Sequence, residues 1–177
     1  MKFNLLLFCF SFILGLPQVQ ADITITGNHP VRVKGTVTKK NNFEVSDGTG
    51  TGNWYTTLEL TQAGTDVLYQ VEARVHVLST NRNFMVTLKN NVTLMNIDNN
   101  LSFFPAEVLF STFEGQGKTL KPQEPQTFTN PEPLAGADSE GDYTLKISAV
   151  PPSGNNKDIG GIYTGEIELI FEPSASE

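Results

Sequence analysis

The chain contains almost no cysteine and little histidine. Of its 177 residues, one is cysteine and two are histidine. The cysteine, Cys9, lies inside an apolar N-terminal stretch, so a domain that begins after this stretch has no disulfide and must be stabilised by its core, a partner or assembly. The histidines, His29 and His76, are far apart in the sequence, whereas a zinc site needs about three or four nitrogen or sulfur ligands. We therefore predict no metal and no cofactor.

Basic residues are also scarce. The chain has 12 lysines and arginines against 19 aspartates and glutamates, which gives a formal net charge of −7. Proteins that bind nucleic acid need clustered positive charge to neutralise phosphates. The composition therefore argues against a nucleic-acid partner.

The sequence carries no signature of a catalytic centre. No GxSxG elbow marks a nucleophile, and His76 falls on the polar face of a predicted strand. We predict a protein without enzymatic activity and without catalytic residues. An exported enzyme with His76 as its base is the alternative, and hydrolysis that is lost on changing His76 would support it.

The first 21 residues have the organisation of a secretory signal peptide. Met1 and Lys2 form a short basic end, residues 5–16 are almost continuously apolar, and Ala21 ends a small-residue cleavage site. About 12 apolar residues are too few to cross ~30 Å of hydrocarbon as a helix. We therefore predict an exported protein that begins near Asp22 and forms a single domain.

The last ordered-looking stretch, residues 160–172, is a strong strand pattern. Its apolar side chains alternate with polar ones, which is typical of a half-buried β-strand. Too few residues follow for a partner strand, so something else must cover one edge of this strand. The residues predicted to share its inner face are Tyr163, Gly165, Ile167, Leu169 and Phe171.

The remaining chain predicts an all-β fold. The longest alternation covers residues 67–78, and other short alternations recur at intervals of roughly 8 to 15 residues, separated by turn residues. The polar, proline-bearing connection over residues 115–141 reads mostly as loop, with one strand near residues 127–129. No convincing helical periodicity is present. The pattern predicts seven to nine strands in an antiparallel sandwich of immunoglobulin-like size.

The N-terminal segment after the signal offers a spare strand. Ile23-Thr24-Ile25-Thr26 alternates, and a break from Gly27 to Pro30 separates it from Val31, Val33 and Val37, which resume the alternation. If this segment fills the edge of the last strand in another copy, both ends of the chain gain partners by β-strand addition, and repetition gives an open filament. Alternatively, the segment is the first strand of its own sandwich. The pattern alone leaves both interpretations open.

Five motifs carry a resemblance to a known family. They are ITIT after the signal, YQVEARVH at 69–76, FMVTLKNNVTL at 84–94, YTLKISAVPP at 143–152 and the final GGIYTGEIELIFE. In order and spacing the chain resembles the alpha-class (class 5) fimbrial major subunits, the colonisation-factor pilins. The resemblance implies an incomplete immunoglobulin-like sandwich, completed by an N-terminal donor strand from the next subunit. It also implies a periplasmic chaperone, an outer-membrane usher and a final location at the cell surface in a fimbria.

The resemblance also implies roles for individual residues. Residues 1–21 are then the signal peptide, 22–34 the donor strand and 35–177 the pilin domain, with Tyr163, Gly165, Ile167, Leu169 and Phe171 bordering the acceptor groove. His29-Pro30 stands about one residue earlier than the Asp-Pro pair of the family, which leaves the donor register beyond Gly27 open. The donor-strand residues carried over are Ile23, Thr24, Ile25, Thr26, Gly27 and Pro30.

The predicted function is therefore a structural subunit of an adhesive fimbria that polymerises by donor-strand exchange and attaches to host cells. Copies of itself are the main partner, and a tip adhesin and a host glycan receptor are further candidates. The alternative is a secreted monomeric carbohydrate-binding sandwich, in which Trp54 and Tyr55 stack on a sugar beside the glycine-rich loop at 47–52. Core packing is the competing interpretation of Trp54.

Overall fold

The computed structural model describes residues 30–37, 42–49, 52–64, 67–113 and 115–174. The predicted signal peptide and donor residues Ile23 to Gly27 lie outside these ranges. Within them, the regular structure is almost entirely β-strand, and the one helix, α1, covers Asn156–Ile159. No helix among the described residues is long and apolar enough to cross a membrane. The predicted all-β class is confirmed.

One sheet contains both the first and the last strand of the described chain. Its strands are β1 Pro30–Val37, β3 Thr57–Glu59, β6 Asn83–Leu88, β7 Met95–Asn96, β10 Gln126–Thr129 and β12 Tyr163–Pro173. Their order is β10-β6-β12-β1-β3, with β7 beside β12. The pairing of β1 with β12 is parallel, and the other pairings in this sheet are antiparallel.

The opposite sheet is built around two long strands. It contains β2 Phe43–Ser46, β4 Thr61–Gln62, β5 Tyr69–Ser79, β8 Glu107–Thr112, β9 Gly117–Thr119 and β11 Ser139–Ala149. Their order is β2-β5-β11-β8-β9, with β4 beside β5. The antiparallel pairing of β5 with β11 runs from Ser79 with Ser139 to Tyr69 with Ala149. The long alternation predicted around residues 67–78 is therefore a central strand, as expected.

Aromatic rings join the two sheets. Phe110 on β8 lies 5.9 Å from Phe171 on β12, and Tyr143 on β11 lies 5.2 Å from Phe84 on β6, both measured between ring centroids in edge-to-face contacts. Such pairs add specific stabilisation to the burial of apolar area. The two sheets thus enclose one hydrophobic core, and the predicted immunoglobulin-like sandwich is confirmed.

The strand count differs from the prediction. Seven to nine strands were expected, whereas the described residues form twelve. The additional strands β2, β4 and β9 have two to four residues each, which is too short to show a clear alternation in sequence. The predicted strands at 54–60 and 92–97 shrink to β3 and β7. Pairing with longer neighbours, rather than local pattern, determines these short strands.

A buried asparagine fixes the long connection against the sandwich. The Asn130 side chain is fully buried, and its amide donates to the carbonyl oxygens of Val77 and Ser139 at 3.1 Å each. The Tyr143 hydroxyl donates to Asn130 Oδ1 at 2.8 Å. Because these groups satisfy one another inside the core, the connection predicted mostly as loop is held in place by β5 and β11.

Candidate strand-insertion site

The large side chains on the inner face of β12 are buried. Tyr163, Ile167, Leu169 and Phe171 are each at most 1% exposed. Gly165, on the same face, lies against the backbone of the segment before β7: a Cβ at this position would stand 2.8 Å from the carbonyl oxygen of Thr93. The alternation predicted for this strand is confirmed. At Gly165, which has no side chain, the backbone at Thr93 occupies the space on the inner face.

The strand β1 lies between β12 and β3. It pairs in parallel with β12 from Val31 opposite Gly165 to Val37 opposite Phe171. On its other side it makes three antiparallel pairs with β3, beginning with Pro30 opposite Glu59. We call the space between residues 165–171 of β12 and residues 57–59 of β3 the insertion slot. The edge of β12 opposite β6 is thus covered by a segment of the same chain that precedes β2.

The side chains of β1 follow the pattern that the slot requires. Val31 and Val33 are 0% and 4% exposed, whereas Arg32 and Lys34 point outward and are exposed. Lys34 forms an ion pair with Glu166 on β12, and this hydrogen bond holds the pKa of Glu166 below its ordinary value. Because exposed ion pairs contribute little to stability, burial of the two valines stabilises β1 in the slot more than this ion pair does.

Trp54 forms a wall of the slot. A Cβ at Gly35 on β1 would stand 3.2 Å from both Cε2 and Nε1 of the Trp54 indole. This distance is tighter than most side-chain contacts, so any side chain at position 35 would require the indole to move by a few tenths of an ångström. The indole Nε1–H is buried and has no hydrogen-bond acceptor among the described residues. The indole of Trp54 therefore fits closely over Gly35, while its own N–H remains without a hydrogen-bond acceptor among the described residues.

The structure places only some of the predicted site residues. The five acceptor-groove residues lie together on β12, and Pro30 begins β1. The other donor residues lie outside the described ranges, and β1 crosses the predicted boundary between residues 34 and 35. The donor strand and the domain boundary therefore stay predictions.

Sequence reasoning missed the roles of four slot residues. Val31 and Val33 fill the slot of their own chain, and Gly35 and Trp54 meet beside them. The alternation of Val31, Val33 and Val37 marked an extended segment, but nothing in the sequence shows which strand this segment pairs with. No sequence signal places Trp54 over Gly35, because the contact joins strand β1 to the loop before β3, which are distant in sequence.

The rings weighed as a sugar platform are packing residues. Trp54 and Tyr55 contact each other edge-to-face at 5.8 Å and both pack against the core. The Tyr55 hydroxyl donates to the carbonyl oxygen of Asp47 at 3.0 Å. A cavity of about 610 Å³ has neither ring in its lining, which includes Arg74 in the middle of β5, Thr112 and Phe113 at the end of β8, and Asp142 on β11. The packing of Trp54 and Tyr55 against the core therefore argues against their use as a stacking surface for a sugar.

His76 contacts acidic side chains on the neighbouring strand. Its Nδ1 lies 3.0 Å from Oδ1 of Asp142, and its Nε2 lies 3.8 Å from Oε2 of Glu140. These are cross-strand neighbours on the outer face of β5 and β11. Among the described residues, no group of three or more His, Cys, Asp or Glu side chains could hold a metal ion. The contacts of His76 are those of a half-exposed sheet residue.

Comparison with known proteins identifies one family. The model of the CS1 type fimbrial major subunit family matches residues 27–172, which is well over half of the chain. No curated protein matches the sequence.

Solved structures with similarity to the chain include a pilin subunit, a chaperone-tip adhesin complex and an adhesive subunit. The CooA pilin subunit from enterotoxigenic Escherichia coli has 14% identity and a TM-score of 0.48, over 76% of this chain and 99% of its own. A chain of a chaperone-tip adhesin complex of CFA/I fimbriae biogenesis has 16% identity and a TM-score of 0.44, over 76% of this chain and 43% of its own. CfaE, the adhesive subunit of CFA/I fimbria of enterotoxigenic Escherichia coli, has 7% identity and a TM-score of 0.29, over 85% of this chain and 49% of its own.

Proposed function

Because the chain belongs to the family of CS1 type fimbrial major subunits, we propose that it polymerises by donor-strand exchange into an adhesive fimbria that attaches to host cells. The chain is a structural subunit of a fimbria and is exported to the cell surface. In the proposed polymer, the insertion slot of each subunit accepts the N-terminal segment of another copy, for which the sequence predicts residues 22–34. We propose no turnover for this protein, since strand insertion needs no chemical step.

One observation supports strand exchange above all: the insertion slot is filled by a segment that precedes the rest of the fold. Without β1, strand β12 would keep β6 as its long neighbour and lose the partner of its other edge over residues 165–171. An edge of this length is a template for another strand. Main-chain hydrogen bonds then supply affinity, and the buried face supplies specificity.

An empty slot would be costly. The inner side chains of β12 are buried with β1 in place, and exposing apolar area to water costs about 25 cal/mol per Å². A periplasmic chaperone that lends a strand would protect this surface before assembly, and an outer-membrane usher would exchange that strand for the next subunit. A tip adhesin and a host glycan receptor complete the proposed set of partners.

The experiment that tests exchange moves the donor segment. Residues 22–34 are placed behind Glu177 through a short flexible linker, so that they can enter the slot as a hairpin partner of β12. We expect a monomer that melts at a higher temperature than the chain in its native order and no longer forms fibres. Thermal melting and size-exclusion chromatography measure the two effects.

A truncated chain that begins at Asn42 is the matched control. It keeps β2 to β12 but has no segment to donate, so it should neither form fibres nor remain soluble alone. Fibres from this truncated chain would contradict donor-strand exchange. The opposite result would be a chain that stays a stable monomer in its native order under all assembly conditions and that unfolds when rearranged. That result would favour the alternative, a secreted monomeric carbohydrate-binding module.

A further inference from the structure

We propose that the cavity lined by Arg74, Arg82 and Phe113 binds a sugar that carries one anionic group, a carboxylate or a sulfate. Its volume of about 610 Å³ lies within the range of sites for small ligands. None of the acceptor-groove residues of β12 lines this cavity, so it is separate from the insertion slot. The inference rests on the proposed function only for the source of the sugar, which is a host glycan.

Two arginines bring positive charge to the cavity. Arg74 lies on β5, and Arg82 lies in the turn between β5 and β6. Within the described part of the chain, neither arginine forms an ion pair with a carboxylate, although acidic residues outnumber basic ones by 19 to 12. The planar guanidinium fork matches the oxygens of a carboxylate or a sulfate. The cavity therefore favours an anionic group.

Both guanidinium groups are held in position before a ligand arrives. The Nε–H of Arg82 donates to the backbone carbonyl oxygen of Asn130 at 3.1 Å, which uses one of the five N–H donors of this side chain. The guanidinium carbon of Arg74 lies 6.0 Å from the ring centroid of Phe113, within the range of a cation–π contact. Side chains that are already ordered lose less entropy on binding.

The base of the cavity is formed by groups that satisfy one another. The fully buried Asn130 accepts a hydrogen bond from the Tyr143 hydroxyl at 2.8 Å, and both residues belong to the lining. Gly141 lies beside them, and a Cβ there would stand 2.6 Å from Asn130 Oδ1. A base packed this closely is a preformed surface, as small-ligand sites usually are.

Phe113 supplies an apolar surface next to the arginines. It follows β8 directly, and its side chain is 71% exposed. Arg74 contacts the ring from one side only, so a large part of the ring is open to a ligand. A single exposed apolar residue needs no explanation by itself. Beside two guanidinium groups, however, the ring offers a stacking surface to the C–H face of a sugar that binds through its anionic group.

Asp142 favours a sugar over an acidic peptide. It is the one carboxylate among the described residues of the lining, and its Oδ1 lies 3.0 Å from Nδ1 of His76. A carboxylate has about four lone-pair sites, so Asp142 retains the capacity to accept hydroxyl groups, whereas it repels a second negative charge. The side-chain amide of Gln116 adds a neutral donor and acceptor. One anionic group with several hydroxyl groups fits this combination.

A matched pair of sugars tests the preference for charge. Methyl β-D-glucuronide and methyl β-D-glucoside differ only at C6, which is a carboxylate in the first and a hydroxymethyl group in the second. We expect the chain without its predicted signal peptide to bind the glucuronide at least about tenfold more tightly. NMR chemical-shift titration measures both affinities, and methyl glucoside 6-sulfate shows whether a sulfate serves as well. Equal affinity for the glucuronide and the glucoside, or no binding of either, overturns the proposal.

Substitutions in the lining test where the sugar binds. Arg74→Gln and Arg82→Gln should each weaken binding of the glucuronide at least about tenfold, and Phe113→Ala should weaken binding of both sugars. Lys121→Gln is the matched control, because it removes one positive charge from an exposed side chain outside the lining. Thermal melting checks that each variant is folded. An equal loss of affinity in K121Q would show that net charge, not the cavity, attracts the glucuronide.

A tetraglutamate peptide separates the sugar from an acidic protein partner. Tighter binding of this peptide than of the glucuronide would overturn the assignment to a sugar. Failure of the sugar experiments would leave donor-strand exchange intact, since the cavity lies apart from the insertion slot. Fibres from the chain truncated at Asn42 would instead refute the proposed function, while binding of the glucuronide in the cavity would stand.

Discussion

The indole ring of Trp54 meets the phenyl ring of Phe171 edge-on, with ring centroids 5.6 Å apart. This contact joins the loop before β3 to the last strand, across the insertion slot. Trp54 therefore packs against the same inner face that the predicted acceptor residues form. A ring in this position stabilises the slot and its occupant together, which links the stability of the subunit to the strand it holds.

Trp54→Ala should destabilise the isolated subunit by about 2 to 4 kcal/mol, because it removes a large ring that contacts Phe171 and Gly35. Trp54→Phe should cost much less, within about 1.5 kcal/mol, since it keeps a ring and removes an N–H that has no acceptor among the described residues. Urea denaturation of both variants measures the difference. Unchanged stability of W54A, with lost binding of a glycan, would instead support a sugar platform.

Gly35→Val should destabilise the subunit, because its branched side chain meets the indole of Trp54. In a chain that already carries W54A, the same valine has room, so its cost should fall by about 1 to 3 kcal/mol. A double-mutant cycle by denaturant unfolding gives this coupling energy. Additive effects of the two substitutions would mean that they do not touch.

Alternation was sufficient to predict the long strands. The buried positions of β12 and of β5 recur at every second residue, so Ile167, Leu169, Val75 and Val77 could be placed in the core from the sequence. The prediction succeeds because one face of each strand is buried and the other faces solvent, so apolar residues recur at every second position.

Pairing partners could not be read from the same pattern. The side chains of β1 would alternate in the same way beside any strand, so its place between β12 and β3 depends on tertiary contacts. The buried amide of Asn130 looked like part of a polar loop, although its three hydrogen bonds lie inside the core. A polar residue in a connection gives no sign in sequence of the carbonyls it will meet.

Gly165→Ala should destabilise the subunit. Alanine does lower the conformational entropy of the unfolded chain relative to glycine, and this effect alone would stabilise the fold. That entropy difference favours alanine by about 0.4 to 1 kcal/mol. The new Cβ would stand 2.8 Å from the Thr93 carbonyl oxygen, and a backbone contact of this kind costs about 1 to 3 kcal/mol of strain. The steric cost should dominate, so thermal unfolding should move to lower temperature. The half-buried neighbour Thr164 is the control, and T164A should change stability by less than about 0.5 kcal/mol.

The stability of the fold should fall at high pH through Tyr143. Burial raises the pKa of Tyr143 to about 12, whereas an unfolded tyrosine ionises near about 10. Below about 10 both states keep the proton, and between about 10 and 12 only the unfolded chain loses it, so stability declines across this window. The expected loss is on the order of 2 kcal/mol.

Tyr143→Phe separates this titration from the other ionisations. The variant should be less stable near neutral pH by about 1 to 3 kcal/mol, because Asn130 Oδ1 loses the hydroxyl that donates to it. Its stability should then fall less steeply than that of the native chain between about pH 10 and 12. Burial also raises the pKa of Tyr55 and Tyr69, so part of the decline should remain. Denaturant unfolding at successive pH values gives both slopes, and identical slopes for the two chains would show that Tyr143 ionises as easily in the fold as outside it.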